Sequence, residues 1–410
     1  MYAAGPGDII GTFRHWREGR DDPSQVAATY SGQFYDLCQE LEADGYAVSS
    51  HPRRESLSDG EFRLRHRPIP FGHTSGLASH LSHFWTAVWM TAAAFWYRAD
   101  ALVIGDGTCH WFPLRVLPRL GVAVIPTIHC VFWGKKDPPR PGMVQRVIRR
   151  LNRPLWSRSA LSILSASGDI TRQIEELARG ACRPVIEFLP TYPAGTFPDA
   201  LPPTQRNPFR VLFAGRIEHN KGVYDLLELA RRFRTRQRTE IVFDLCGTGS
   251  AFDDLSQQVR DAGLADSFRL HGHCDRQTMR RMFEQSHVVI VPTTTRFVEG
   301  FNQVVVEGVL ASRPVITSDV CPALEYVRDA VVEVPPDDVG AYEAAIIALL
   351  DDPTLYESKR GACRRLQVQF YDRSRGWAAA VMRALQRLPG SHRQAGMIGS
   401  SSVHTHRPDT

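Results

Sequence analysis

Five short apolar runs in the second half of the chain, Val211–Ala214, Ile241–Leu245, Val288–Val291, Pro314–Thr317 and Val331–Val334, are rich in Val and Ile and do not alternate with polar residues. A strand with one wet face would alternate, so these read as strands covered on both faces. Between the first two, Val223, Leu226, Leu227, Ala230 and Phe233 recur at helical spacing and make one apolar stripe that faces a sheet. Strand and helix therefore alternate, which predicts an α/β chain with a doubly wound parallel sheet.

The first half repeats the alternation less distinctly. Helices are expected near 31–43, 81–97 and 110–120, and strands at 101–105, 122–128 and 161–165. The uncharged stretch 81–97 is interrupted by Ser82, His83, Thr86 and Thr91, which is short and polar for a membrane span. It reads as a core helix feeding the strand at 101–105. Six prolines (190, 193, 198, 202, 203 and 208) fix φ and remove donors too often for a helix or a central strand. The expected organisation is a first Rossmann-like domain over 1–190, a linker at 191–208 and a second such domain over 209–370. A helix at 371–388 with Trp377, Val381 and Leu385 on one face would pack back across the hinge. The stretch 389–410, with only Ala395, Met397, Ile398 and Val403 as apolar side chains, is expected to be a disordered tail.

At 410 residues the chain can bury two cores, and 43% hydrophobic with 23% charged residues is ordinary globular composition. A net charge of +5 does not demand nucleic acid. The eight cysteines are spread singly without a C-x-x-C pair, so neither a disulfide framework nor a zinc knuckle is indicated, and a reducing cytoplasm fits. The first residues lack the basic, apolar and small-residue succession of a signal peptide.

Three clusters carry chemistry. Gly215-Arg216-Ile217-Glu218-His219-Asn220-Lys221-Gly222 leaves the first strand of the second domain, and the carboxyl ends of parallel strands are where ligands bind. Arg216 and Lys221 there offer a fork and a point charge to a diphosphate. Cys246-Gly247-Thr248-Gly249 follows the next strand, with two glycines that let backbone approach a ligand. After Pro292, Glu299-Gly300-Phe301-Asn302 leads into an apolar stretch ending at Glu307, with Gly300 expected to open the helix. Glu299 and Glu307 would then stand roughly 12 Å apart along it, too far for the paired carboxylates of a glycoside hydrolase. They suit different parts of one extended ligand, with the amides of Gly300 and Phe301 between them.

Taken together these pieces resemble the donor-binding domain of a GT-B glycosyltransferase of glycosyltransferase family 4, over about 208–350 and including Arg313-Pro314-Val315-Ile316. The resemblance implies two Rossmann-like domains facing a cleft, retention of anomeric configuration, a UDP- or GDP-sugar donor, a hexosyltransferase activity in glycan or polysaccharide synthesis, and no metal or other cofactor. The chain contains no Asp-x-Asp. By the resemblance, Arg216 and Lys221 neutralise the donor diphosphate, Glu299 faces the donor sugar and Glu307 accepts the ribose hydroxyls. Asn302 stands where many members carry a small residue, often Gly. In the first half, Val124-Ile125-Pro126-Thr127-Ile128-His129 resembles the strand whose His faces the donor, and Gly5-Pro6-Gly7-Asp8-Ile9-Ile10-Gly11 the glycine-rich loop over the diphosphate. The rivals are a catalytically silent sugar-nucleotide-binding subunit and a GT-B epimerase or phosphorylase.

From 138 to 168 there are six arginines and no acid, with Val144, Ile148 and Leu151 at helical spacing. A basic amphipathic helix of this kind suits a peripheral contact of 140–158 with an anionic membrane on its inner face, or an acceptor pyrophosphate. The partners expected are therefore the donor and a glycan or lipid-linked acceptor, without nucleic acid.

Overall fold

The structure is a computed structural model that describes residues 1–70, 76–134, 141–197, 203 and 205–389. Its first half builds an eight-stranded sheet from β1 (Tyr2–Ala3), β2 (Gly45–Ser49), β3 (Glu55–Asp59), β4 (Phe62–His66), β5 (Ala101–Gly105), β6 (Ala123–Ile128), β7 (Ile163–Ser165) and β8 (Val185–Glu187). The order is β3-β4-β2-β1-β5-β6-β7-β8, and only the β3–β4 pair is antiparallel. Helices α1 (Ile9–Arg17), α2 (Tyr30–Glu40), α3 (Leu77–Trp96), α4 (Met143–Pro154) and α5 (Gly168–Ala178) connect the strands. Asp8, Thr29 and Ser167 cap α1, α2 and α5, each accepting from an early backbone amide of its helix.

The second half is a six-stranded, wholly parallel sheet of β9 (Phe209–Ala214), β10 (Ile241–Cys246), β11 (Phe268–Gly272), β12 (Val288–Val291), β13 (Val315–Thr317) and β14 (Val331–Glu333), ordered β11-β10-β9-β12-β13-β14. Helices α6 (Val223–Thr235), α7 (Phe252–Asp261), α8 (Arg276–Gln285), α9 (Gln303–Leu310), α10 (Leu324–Val327), α11 (Val339–Asp351), α12 (Pro353–Leu366) and α13 (Val368–Tyr371) enclose it, and α14 (Trp377–Leu385) follows. Separate apolar cores fill its two faces. Chain order reverses between β9 and β12, the switch point at which such sheets bind ligands. In the first sheet the corresponding point lies between β1 and β5.

The two halves meet where the chain crosses twice. Leu189 N donates to Arg375 O at 2.9 Å and Tyr192 N to Phe370 O at 3.0 Å, so 189–192 runs beside 370–376. Beyond this crossing α14 returns to the first domain, where Trp377 is fully buried and its Nε1 donates to Thr127 Oγ1 at 3.0 Å.

Several expectations are corrected. The helix near 110–120 is a 3-10 run, Phe112–Leu120, because Pro118 lacks the N–H that an α-helix would use. The helix at 371–388 is shorter and begins at Trp377, since Asp372–Gly376 forms a capped 3-10 break. The stretch 81–97 is helical but only one side of it meets the core: α3 buries Ser82, Ala87, Met90, Ala93 and Ala94, half-buries Trp89, and leaves Leu81, Phe84, Trp85, Val88, Phe95 and Trp96 exposed. Strands β2, β3, β4, β8 and β11 add to those expected. Linker residues 198–202 and 204, and the tail 390–410, lie outside the described residues.

Candidate functional site

The turn after β9 is seated by a glycine. Gly222 has φ +74°, and a Cβ there would lie 2.1 Å from the carbonyl oxygen of Pro292, so only Gly lets the turn rest against the end of β12. Thr294 then ties the loops together, its amide and its hydroxyl each donating to Asn220 O at 3.1 Å. The result brings Lys221 Nζ within 2.6 Å of Glu299 Oε2, with both side chains largely but not fully buried. Phe297 roofs the pair, its ring centre 3.8 Å from Lys221 Nζ and 5.5 Å from the Arg216 guanidinium carbon. Arg216 itself is 59% exposed and reaches Glu218 at 2.9 Å. Gly247 and Gly249 serve the same loops: a Cβ on either would strike the carbonyl oxygen of Gly215 at 1.8 Å or of Ile217 at 2.4 Å.

Gly300 does not open the helix; α9 begins at Gln303. Asn302, just before it, adopts the left-handed conformation (φ 71°), which Asn tolerates better than most residues with a Cβ, and its Nδ2 donates to Glu299 Oε2 at 3.3 Å. This backbone accounts for an Asn at a position where a Gly would also fit. Gly300 is instead the point of contact with the first domain. A Cβ there would lie 1.8 Å from His129 O, and Gly300 O accepts from Ser167 Oγ at 3.2 Å.

His129 therefore stands beside the Glu299–Gly300 loop. Asp106 holds it there, one carboxylate oxygen accepting from the amides of His129 (2.9 Å) and Cys130 (2.8 Å). The imidazole stacks on Tyr30 at 4.4 Å, and its buried Nδ1 has no hydrogen-bond partner among the described residues. Burial lowers the His129 pKa and so favours the neutral ring, an effect partly offset by the Asp106 carboxylate. His129, Asp106, Tyr30, Gly7 and Gly11 line one cavity of about 750 Å³ in the first domain.

Glu307 points into the second domain from α9 and is 8% exposed. Tyr192 OH donates to its Oε1 at 3.5 Å, and burial raises its pKa to about 7. Phe301 is buried beneath the same loop and packs on Tyr326. Arg313 is buried for a structural reason: its guanidinium donates to the carbonyls of Phe283, Ala311 and Glu284. Sequence reasoning missed Asp106, Tyr192 and Phe297. Only Asp106 carried a signal, as an acid between two glycines at the carboxyl end of a predicted strand. Among the described residues no three His, Cys, Asp or Glu side chains gather as a metal site.

Residues 202–365 match the family model described as glycosyl transferases group 1. A glycogen synthase of Mycobacterium tuberculosis is 25% identical over 253 residues, which are 61% of this chain and 60% of that one. The chain thus spans less than two thirds of that relative. Sucrose-phosphate synthase from Thermosynechococcus elongatus superposes with a TM-score of 0.68 at 16% identity, covering 97% of this chain and 99% of the other. HepE of Anabaena, solved in complex with UDP, gives 0.61 at 12% identity over 89% and 94%. The two-domain fold is GT-B, as the sequence motifs led us to expect.

Proposed function

We propose that the chain is a retaining family 4 glycosyltransferase that moves a hexose from a UDP- or GDP-sugar to a hydroxyl acceptor in glycan or polysaccharide synthesis. The observation that carries this is the meeting of Lys221 and Glu299 at the switch point of the second sheet, against the backbone of His129 from the first domain. HepE holds UDP and is alike in fold, which supports a nucleotide-sugar donor here.

In this reading the donor diphosphate lies along the Gly215–Gly222 turn. Arg216 and Lys221 neutralise charge that grows as the glycosidic bond breaks, the role a divalent cation would otherwise fill. Glu299 orients Lys221 and faces the sugar. Glu307 accepts the ribose hydroxyls, the amides of Gly300 and Phe301 meet donor oxygens, and the Gly247–Gly249 turn closes the nucleotide side. His129 contacts the sugar or the incoming acceptor, while the 140–158 arginines give a peripheral contact with the inner face of the membrane from the cytoplasm. No helix among the described residues is long and apolar enough to cross a membrane.

A thermal-shift screen of UDP- and GDP-sugars tests the donor assignment. A ligand at 100 times its Kd adds roughly 2.7 kcal/mol of stability, a shift of several degrees. A chain that no nucleotide sugar stabilises would not be using this site as described.

A further inference from the structure

We propose that the face formed by α3, the 3-10 run Phe112–Leu120 and α4 docks on an anionic bilayer, with α3 as its apolar anchor. Among the described residues seventeen large apolar side chains stand exposed, and all but Leu41, Val298 and Val368 lie on these elements or at Tyr97 directly after α3. On α3, Leu77, Leu81, Trp85, Val88, Phe95 and Trp96 follow one helical stripe, and that stripe is the outward one. The buried positions of the inward side are Ser, Ala and Met, with Trp89 half-buried beside them, so most of the helix's large apolar side chains face away from the core. Twenty residues at 1.5 Å each make this stripe about 30 Å long, well beyond the scattered apolar residues of an ordinary surface.

Charge names the occupant. Neither α3 nor α4 carries an acid, α4 has no buried residue, and Met143, Val144, Val147 and Leu151 stand exposed beside its arginines. Arg146, Arg149, Arg150, Arg153 and Arg179 line a groove of about 850 Å³ in which Glu176 is the one carboxylate among the described residues. Apolar side chains beside clustered arginines match the acyl boundary and headgroups of an anionic leaflet. A second copy of this face would set arginine against arginine.

Docking has a consequence for the site. Between α3 and α4 lies a cavity of about 450 Å³ lined by His80, His83, His110 and Asp106, and Asp106 holds the His129 amide. An amphiphilic acceptor lying in the bilayer would reach the His129 corner through it. That consequence rests on the proposed transfer, whereas the docking itself does not.

The experiment is flotation with vesicles of 70% phosphatidylcholine and 30% phosphatidylglycerol, and of phosphatidylcholine alone, at 0.1 M and 1 M salt. The wild type is expected to float with the anionic vesicles. Leu81→Ser/Trp85→Ser, exposed positions whose change leaves thermal stability intact, should lower partitioning at least about tenfold at both salts. Arg146→Gln/Arg149→Gln/Arg150→Gln/Arg153→Gln should lower it about tenfold at 0.1 M and remove the salt dependence, since screening acts within about 10 Å at that salt. A folded wild type that stays with the unfloated fraction, or an α3 variant that floats as well as wild type, would overturn the proposal. So would a dimer by light scattering that becomes monomeric in the α3 variant without vesicle binding, which would give the face to a second copy. Donor binding by the second domain would survive any of these failures, whereas the peripheral contact proposed for 140–158 would fall with the docking, so transfer and docking are tested separately.

Discussion

The Lys221 ammonium sits 2.6 Å from the Glu299 carboxylate across 78 residues of sequence, and both side chains are largely withdrawn from water. A pair this buried is held by the chain, and losing one member leaves the other charged and unpaired. Lys221→Ala is therefore expected to lower turnover more than tenfold and to cost about 3 kcal/mol of stability. Glu299→Gln should impair turnover more than nucleotide affinity. The double change Lys221→Met/Glu299→Gln should regain stability without regaining turnover. Urea denaturation beside nucleotide release measures both, and near-normal turnover in Lys221→Ala would show the diphosphate to be elsewhere.

Arg216 makes the contrasting case. Its guanidinium is mostly in water, and exposed pairs such as Arg216–Glu218 contribute little to folding. Arg216→Ala should keep its Tm within about a degree while losing turnover more than tenfold. A variant that melts lower yet turns over normally would assign Arg216 to the fold alone.

Glu307 predicts a pH dependence. Its pKa rises from an ordinary 4.5 to about 7 in the folded chain, so the folded state binds this proton more tightly than the unfolded one. The stability this contributes is complete below about pH 4.5 and is lost as pH climbs through 7. Glu307→Gln keeps the neutral form, and should match wild type near pH 5 and exceed it by up to about 3 kcal/mol at pH 8. Affinity for UDP or GDP should fall in the same variant, and wild-type affinity should rise with pH as the carboxylate forms. Denaturation curves at the two pH values that differ equally would refute the assignment.

Gly300 sets the distance between the domains. Gly300→Ala puts a methyl where the His129 carbonyl stands, so the domains must part. Turnover should drop more than tenfold and the radius of gyration should increase by solution scattering, with the thermal transition of each domain kept. An unchanged radius with unchanged turnover would mean that the contact is not needed.

His129→Ala should lower activity without weakening free nucleotide, as befits a first-domain group that meets only the sugar or the acceptor. A lower Tm with full specific activity would instead make His129 a packing residue against Tyr30.

What could be read from the residues follows burial. Strands β9, β10, β12 and β13 are covered on both faces, so their Val- and Ile-rich runs stand out in the sequence, whereas β14, expected to be covered likewise, is the sheet's edge strand and leaves Glu333 exposed. The β3–β4 hairpin and β11 alternate, with Arg63, Arg65, Arg269 and His271 facing out, and short alternations resemble loops. Hydropathy named α3 a helix and could not say which way it faced, because an apolar helix in a core and one at an interface have the same composition. The motif clusters located Arg216, Lys221 and Glu299 in sequence. The contact of Lys221 with Glu299 needed the parallel order β9–β12, and the contact of Gly300 with His129 needed the docking of two domains. Tyr192 met Glu307 only through the path of the linker.

The central claim is transfer with retention, and the anomer released from the donor tests it most directly. With the donor that stabilises the chain best, proton NMR in the first minutes, before mutarotation, should show the nucleoside diphosphate appearing together with a product of the donor's own anomeric configuration. The Lys221→Ala protein should show neither. Appearance of the opposite anomer would contradict retention, and no release from any UDP- or GDP-sugar in the presence of a cell-lipid extract would contradict the transferase reading itself.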